Sequence, residues 1–195
     1  MGDKNHKISL AGDLGSGKST VGAILAEKLN LNKISIGTLQ RKMAAEMGMD
    51  TGAFNVYMET HPKFDKILDD KLKEYEKLSG NYLFDSRMAW HFVPSAFSVY
   101  MKIDGKTAAA RVYNAQRETE QYASVDEAFL KIAKRRESER ERYKNVYGVD
   151  ITDMSNYDLV VSVDGKTPDE VADEIIAAYL KKQENRNALG RENRR

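Results

Sequence analysis

The chain contains no cysteine, which excludes a disulfide framework and any thiolate metal site. Histidine is scarce and scattered, at His6, His61 and His91, and makes no metal-ligand set. No apolar run approaches the roughly 18 to 20 residues needed to cross a bilayer. Residues Met1 to Lys7 lack the apolar stretch of a signal peptide. Net charge is close to absent: 31 Lys plus Arg stand against 30 Asp plus Glu. That balance argues against a strongly basic nucleic-acid binder and against an acidic tail. What is left is 195 residues, 41 % of them apolar, enough for one compact core. The expectation is a soluble, cytoplasmic monomer with neither membrane nor nucleic acid among its partners.

The order of patterns is strand, glycine loop, helix. Ile8-Ser9-Leu10-Ala11 is a short apolar run that stops at Gly12, as a buried parallel strand does. Val21, Ile24, Leu25 and Leu29 then recur at the spacing of one helical face, over Ser19 to Leu29. A second strand is expected at Lys33 to Ile36, a third at Tyr82 to Phe84 closed by Asp85, a fourth at Phe97 to Ile103 and a fifth at Leu159 to Val163. Between the second and third, helical patterns cover Leu39 to Met47, Thr51 to Met58, and a longer piece from Pro62 to Leu78. This block reads as an inserted helical lobe. A last helix is expected over Thr167 to Leu180. Residues 181–195 carry six Lys or Arg against two Glu and no apolar periodicity, so a frayed basic tail is expected there. The alternation of strands and helices is that of an α/β protein.

Gly12-Asp13-Leu14-Gly15-Ser16-Gly17-Lys18-Ser19-Thr20 matches G-x-x-x-x-G-K-[ST] in full. Glycines let the backbone wrap so that several N–H groups face one anion. The helix that follows offers its free N–H groups and the positive end of its dipole to the same anion. Lys18 is expected on the β- and γ-phosphates and the Ser19 hydroxyl on Mg²⁺. Asp85, ending a strand beside this loop, is a candidate for the same metal shell. Nucleotide binding follows from this motif.

Arginines supply the second signal. Arg41 lies one helical turn beyond Gly37, and Arg87 two residues beyond Asp85. Both leave the carboxyl edge of the sheet, where paired guanidiniums suit a phosphorylated acceptor. A helical stripe then runs Ala128, Ile132, Arg135, Glu139, Arg142 and Val146. Charge on an inward-facing stripe needs an opposite charge, and a triphosphate is one such partner; Glu137, Glu139 and Glu141 pairing with the arginines is another. Six of the twelve arginines fall between residues 111 and 142, which points to an arginine-bearing lid. Together these parts describe phosphoryl transfer by alignment and charge neutralisation.

The chain resembles the nucleoside monophosphate kinases, most closely the short archaeal-type cytidylate kinases. The resemblance rests on Gly12 to Thr20, on Ser35-Ile36-Gly37 with Arg41, and on Asp85-Ser86-Arg87. Its most specific stretch is Arg135 to Tyr143, followed by Tyr147-Gly148-Val149-Asp150 and Tyr157 to Val160. It implies a P-loop three-layer sandwich with a parallel five-stranded sheet. Residues 1–180 would form the kinase domain, with a monophosphate-binding lobe at about 38–80 and a lid at about 111–148. It implies ATP on Gly12 to Thr20, with Arg111 or Arg117 serving the nucleotide side of the lid. A nucleoside monophosphate, CMP or dCMP, would lie by Ser35, Gly37, Arg41, Asp85 and Arg87. Lys18, Arg135 and Arg142 would act on the transferring phosphoryl group, with Mg²⁺ at Ser19 and Asp85. Two departures bear on base specificity. Met88 to Phe92 stands where a small pair is usual, so that Trp90 is expected to reshape the acceptor pocket, and Tyr113 to Gln116 is longer than the usual turn. A P-loop kinase for another small metabolite and a nucleotide-binding regulator without transfer activity remain the alternatives.

Overall fold

The computed structural model describes residues 5–115 and 122–192. Five strands, β1 (Lys7–Gly12), β2 (Asn32–Ser35), β3 (Tyr82–Asp85), β4 (Phe97–Lys102) and β5 (Leu159–Ser162), form one sheet in the order β2-β3-β1-β4-β5. All four pairings are parallel, so every connection must cross over, and helices make the crossovers. All six residues of the central strand β1 are buried, the burial expected of a strand covered on both faces. Lys7 tolerates this because its Nζ donates to the Glu76 carbonyl at 2.8 Å and lies 3.7 Å from the Glu76 carboxylate.

On one face, α1 (Lys18–Lys28) and α8 (Pro168–Glu192) lie together. Val21, Leu25, Val171, Ile175 and Tyr179 from them join Ile8, Leu10 and Val99 of the sheet in the main core. Between β2 and β3 stand α2 (Ile36–Glu46), α3 (Thr51–Glu59) and α4 (Lys63–Lys77). They carry a small core of their own, Ala44, Phe54, Met58 and Leu68. The short α5 (Ala89–Phe92) follows β3, and α6 (Gly105–Ala115) and α7 (Val125–Tyr147) separate β4 from β5.

Capping explains where the helices begin. The Asp50 carboxylate accepts from the Ala53 N–H at 2.7 Å. Ser124 accepts from Glu127 N–H at 3.1 Å while Glu127 accepts from Ala123 N–H, a reciprocal cap. Gly148, at φ +71°, ends α7.

The helix expected to stop at Leu180 instead runs on to Glu192. Residues 181–188 carry no apolar stripe; Lys182 reaches the Asp158 carboxylate and the Phe97 ring, and Lys, Gln, Glu, Arg and Ala otherwise sustain the helix by propensity. Arg117 and Gln116 lie outside the described residues. No described helix is long and apolar enough to cross a membrane.

Candidate active site

The carboxyl ends of β1, β2 and β3 meet at one edge, with Leu10 and Ser35 both in register with Asp85. The phosphate loop leaves that edge under tight steric control. Gly12 has φ +149°, and a Cβ there would stand 2.4 Å from the Met101 carbonyl oxygen. At Gly15, φ is +80° and a Cβ would stand 2.8 Å from the Ala108 carbonyl oxygen. Neither position accepts a side chain without moving backbone. The loop is braced from within by Ser16 Oγ, which donates to the Asp13 carbonyl at 2.7 Å.

Asp13 is the anchor that sequence reasoning placed only among nucleotide ligands. Its carboxylate accepts from Tyr100 Oη at 2.7 Å and from Ile103 N–H at 3.1 Å, and lies 3.3 Å from Arg136 Nη1. It faces a cavity of about 100 Å³ behind the loop, together with Gly12. Its side chain therefore ties the loop to β4 and α7. Carboxylate pairing and burial also push the Tyr100 hydroxyl upward: burial first, then the Asp13 hydrogen bond.

In front of the loop lies a cleft of about 300 Å³. Leu14, Gly15, Gly17, Lys18, Ser19 and Thr20 line it from the loop and α1, Ser35, Gly37 and Arg41 from the start of α2, and Asp85 and Arg87 from the end of β3. Arg111 of α6 and Arg135 of α7 complete it. Five cationic side chains thus meet around one opening, with Asp85 as its single acidic lining residue among those described. Lys18 Nζ donates to the carbonyls of Gly12 at 2.9 Å and Asp13 at 3.2 Å. Burial, and next the Arg87 charge, lower its pKa to about 8. Arg41 is steadied by donating from Nη2 to Thr38 Oγ1 at 2.9 Å.

Arg87 and Arg135 are tied together by Glu139, which the sequence placed on the inward stripe as one alternative partner for the arginines. Glu139 lies 2.6 Å from Arg87 Nε through Oε2 and 3.1 Å from Arg135 Nε through Oε1. Its side chain is 5 % exposed. Burial pushes its carboxyl up, but Arg87, Arg135 and Arg142 outweigh this and hold it below the usual range.

Arg142 is not brought to this cleft. It is buried one helical level further on, where Nη1 donates to the Asn55 carbonyl at 3.3 Å and Nε lies 3.5 Å from Asp65 Oδ2. The stripe on α7 faces inward from Ala128 to Arg142, whereas Val146, expected at its end, is exposed. It meets two neighbours in succession, the phosphate cleft at Arg135, then α3 and α4 at Arg142. A side cavity of about 60 Å³ shares Lys18, Gly37, Gln40, Asp85 and Arg87 with the main cleft and continues past Asp65, Leu68, Asp69, Leu72, Met88 and Tyr143. Burial pushes Asp65 up despite Arg142. Asp69 accepts from Tyr147 Oη, and burial raises it to about 6 against that hydrogen bond. Trp90 lines neither opening. Contrary to the expectation that it reshapes the acceptor pocket, the short turn of α5 carries it against Tyr157, at 5.9 Å between rings; Met88 reaches the side cavity instead.

A parallel sheet with a glycine loop leading into α1, and a cation-lined cleft at its carboxyl edge, is the architecture of a P-loop kinase. Shikimate kinase from Aquifex aeolicus shares the fold, with a TM-score of 0.57 and 21 % identity, covering 91 % of this chain and 98 % of that one. Residues 7–165 match the model of the cytidylate kinase-like family, and the chain belongs to that family. Cytidylate kinase of Thermoplasma volcanium is 36 % identical over 170 residues, 85 % of this chain and 87 % of that protein. An S-adenosylmethionine-dependent nucleotide dehydratase of Lacinutrix mariniflava is 36 % identical over 176 residues, 90 % of this chain. The chain spans 36 % of the length of that dehydratase.

Proposed function

We propose that this protein transfers the γ-phosphoryl group of ATP to a nucleoside monophosphate, CMP or dCMP, giving the diphosphate. The observation that carries the reading is the convergence of Lys18, Arg41, Arg87, Arg111 and Arg135 on one cleft beside the phosphate loop. Membership of the cytidylate kinase-like family supports it. The loop N–H groups and Lys18 would cradle the β- and γ-phosphates. Arg41 and Arg87 would grip the acceptor phosphate, and Arg135, with Arg111 on the nucleotide side, would neutralise charge on the transferring group. An acceptor phosphate is largely ionised at neutral pH, its second pKa being about 6, so no general base is required. The roles of Lys18, Arg135 and the acceptor arginines are thus alignment and charge neutralisation.

Ser19 and Asp85 both line the cleft and present hard oxygen donors. That fits Mg²⁺, which keeps most of its shell as phosphate oxygen and water. When bound, the ion would neutralise phosphate charge. The side cavity supports the choice of base. Asp65 and Asp69 line it, and a carboxylate accepts readily from the exocyclic amine of cytosine, whereas uracil presents a carbonyl there. We also read α6 and α7 as a lid over the phosphates and the protein as a cytoplasmic monomer.

The test is coupled ADP release across a panel of nucleoside monophosphates. CMP and dCMP should give turnover, UMP less. No turnover with CMP, dCMP or UMP would sink the reading. Phosphorylation of an alcohol metabolite alone would transfer the protein to a different P-loop kinase activity.

A further inference from the structure

We infer that Glu139 is a positioning residue for phosphoryl transfer: its two carboxylate oxygens hold Arg87 and Arg135 side by side and set the direction in which their guanidinium groups face the cleft. This rests on the phosphoryl-transfer reading above.

The two arginines come from unrelated parts of the chain, one from the loop after β3 and one from α7, and both line the cleft. Two guanidinium groups converging on one anion site repel each other when it is empty, and each long side chain has considerable rotamer freedom to lose. Glu139 opposes both effects. It receives Arg87 on Oε2 at 2.6 Å and Arg135 on Oε1 at 3.1 Å, one arginine to each oxygen. Both approaches are made through Nε. Both guanidinium groups line the cleft while so held, and a guanidinium meets phosphate there in a bidentate manner.

The position of Glu139 makes the arrangement stiff. It lies four residues after Arg135, directly above it on the same face of α7, and its side chain is 5 % exposed. A buried carboxylate between two cations on a rigid element preorganises them before the charge they serve develops. It also has a cost: an anion here lowers the potential that attracts phosphate in the ground state. A purely structural ion pair would be insulated from that trade.

Removing the charge should therefore separate binding from turnover. Glu139→Gln keeps an acceptor for one arginine and loses the negative charge. Steady-state kinetics of wild type, Glu139→Gln and Glu139→Ala with ATP and CMP test this. Glu139→Gln should lower kcat by at least about tenfold while KM for CMP stays level or falls. Glu139→Ala should lower kcat further, with KM moving the same way, and Gln should rescue part of that loss. Inorganic phosphate, titrated calorimetrically in the absence of turnover, should bind Glu139→Gln at least as tightly as wild type. Thermal melting shows whether each variant is folded at the assay temperature. If kcat falls only in proportion to the unfolded fraction, or if KM for CMP rises tenfold with kcat unchanged, the positioning role is overturned. A wild-type protein inactive on every monophosphate defeats the parent reading instead, and the phosphate titration still decides whether Glu139 opposes anion binding.

Discussion

Lys18 stands in a conflicting field before any nucleotide arrives. Its ammonium is committed to two loop carbonyls, burial disfavours its charge, and Arg87 disfavours it further, bringing its pKa to about 8. Phosphate supplies the opposite charge and should restore a value nearer the ordinary one. A group whose pKa rises on binding takes up a proton in the interval between the two values. ATP binding should thus be coupled to almost no uptake at Lys18 near pH 7, where the ammonium is already formed. Uptake should reach about half a proton at pH 8 and more above it, and affinity should fall as pH rises beyond about 8. Calorimetry in buffers of different ionisation enthalpy measures this directly. Lys18→Met should bind ATP weakly and lose the uptake between pH 8 and 9. An uptake that is flat over that range in wild type would show that Lys18 is charged throughout.

The five strands and the helices α1, α3 and α4 were legible in the sequence to within a residue or two, because a local apolar pattern there meets a clear stop or start signal. β3 closes at Asp85 and β1 at Gly12, as expected from those stops. The far end of α8 was not legible, since apolar periodicity registers apolar packing, whereas beyond Leu180 Lys182 meets Asp158 and the Phe97 ring through its ammonium. This yields a prediction for the element. Deleting residues 187–195 should change unfolding free energy by no more than about 0.5 kcal/mol, as measured by urea denaturation. Ile175→Ala, earlier in the same helix and fully buried, should cost about 2–5 kcal/mol. A large loss on truncation would mean that the last turns of α8 contribute to stability. The roles along α7 were legible only in part for a related reason. The stripe specified which face is inward, but a helix rises about 1.5 Å per residue. Arg135 and Arg142 are therefore about 10 Å apart along the axis, and here the first lines the cleft while the second meets α3 and α4. Helical spacing pointed to the pairing of Glu139 with Arg135. The links of Glu139 to Arg87 and of Asp13 to Tyr100 and Arg136 join residues distant in sequence, about which spacing carries no information.

Viewed as a whole, α7 is the beam that joins the phosphate loop to the helical lobe. Arg136 meets Asp13 of the loop, Ser138 donates to Glu59 at the end of α3, and Arg142 reaches the Asn55 carbonyl in α3 and the Asp65 carboxylate in α4. The Arg142–Asp65 contact is the most deeply placed of these. Both side chains are 4 % exposed, and the two facing atoms, Arg142 Nε and Asp65 Oδ2, lack a hydrogen bond. A buried pair of this kind adds little net stability, yet removing one partner strands the other's charge. Arg142→Met and Asp65→Leu should each destabilise by about 3–5 kcal/mol, while the double variant should cost clearly less than their sum, with a coupling of at least about 1 kcal/mol. The pH dependence gives the sign. Asp65 titrates above its ordinary value in the folded protein, burial being the main cause, so the native state binds more protons than the unfolded state and Asp65 contributes a penalty that grows as pH rises through that interval. Removing Arg142 pushes Asp65 higher still. The Arg142→Met penalty should therefore be larger at pH 8 than at pH 5, and Asp65→Leu should abolish that difference. Urea unfolding of the four proteins at both pH values completes the cycle. Equal penalties at the two pH values, or strict additivity, would mean that Arg142 stabilises the lobe through Asn55 and Tyr143 alone.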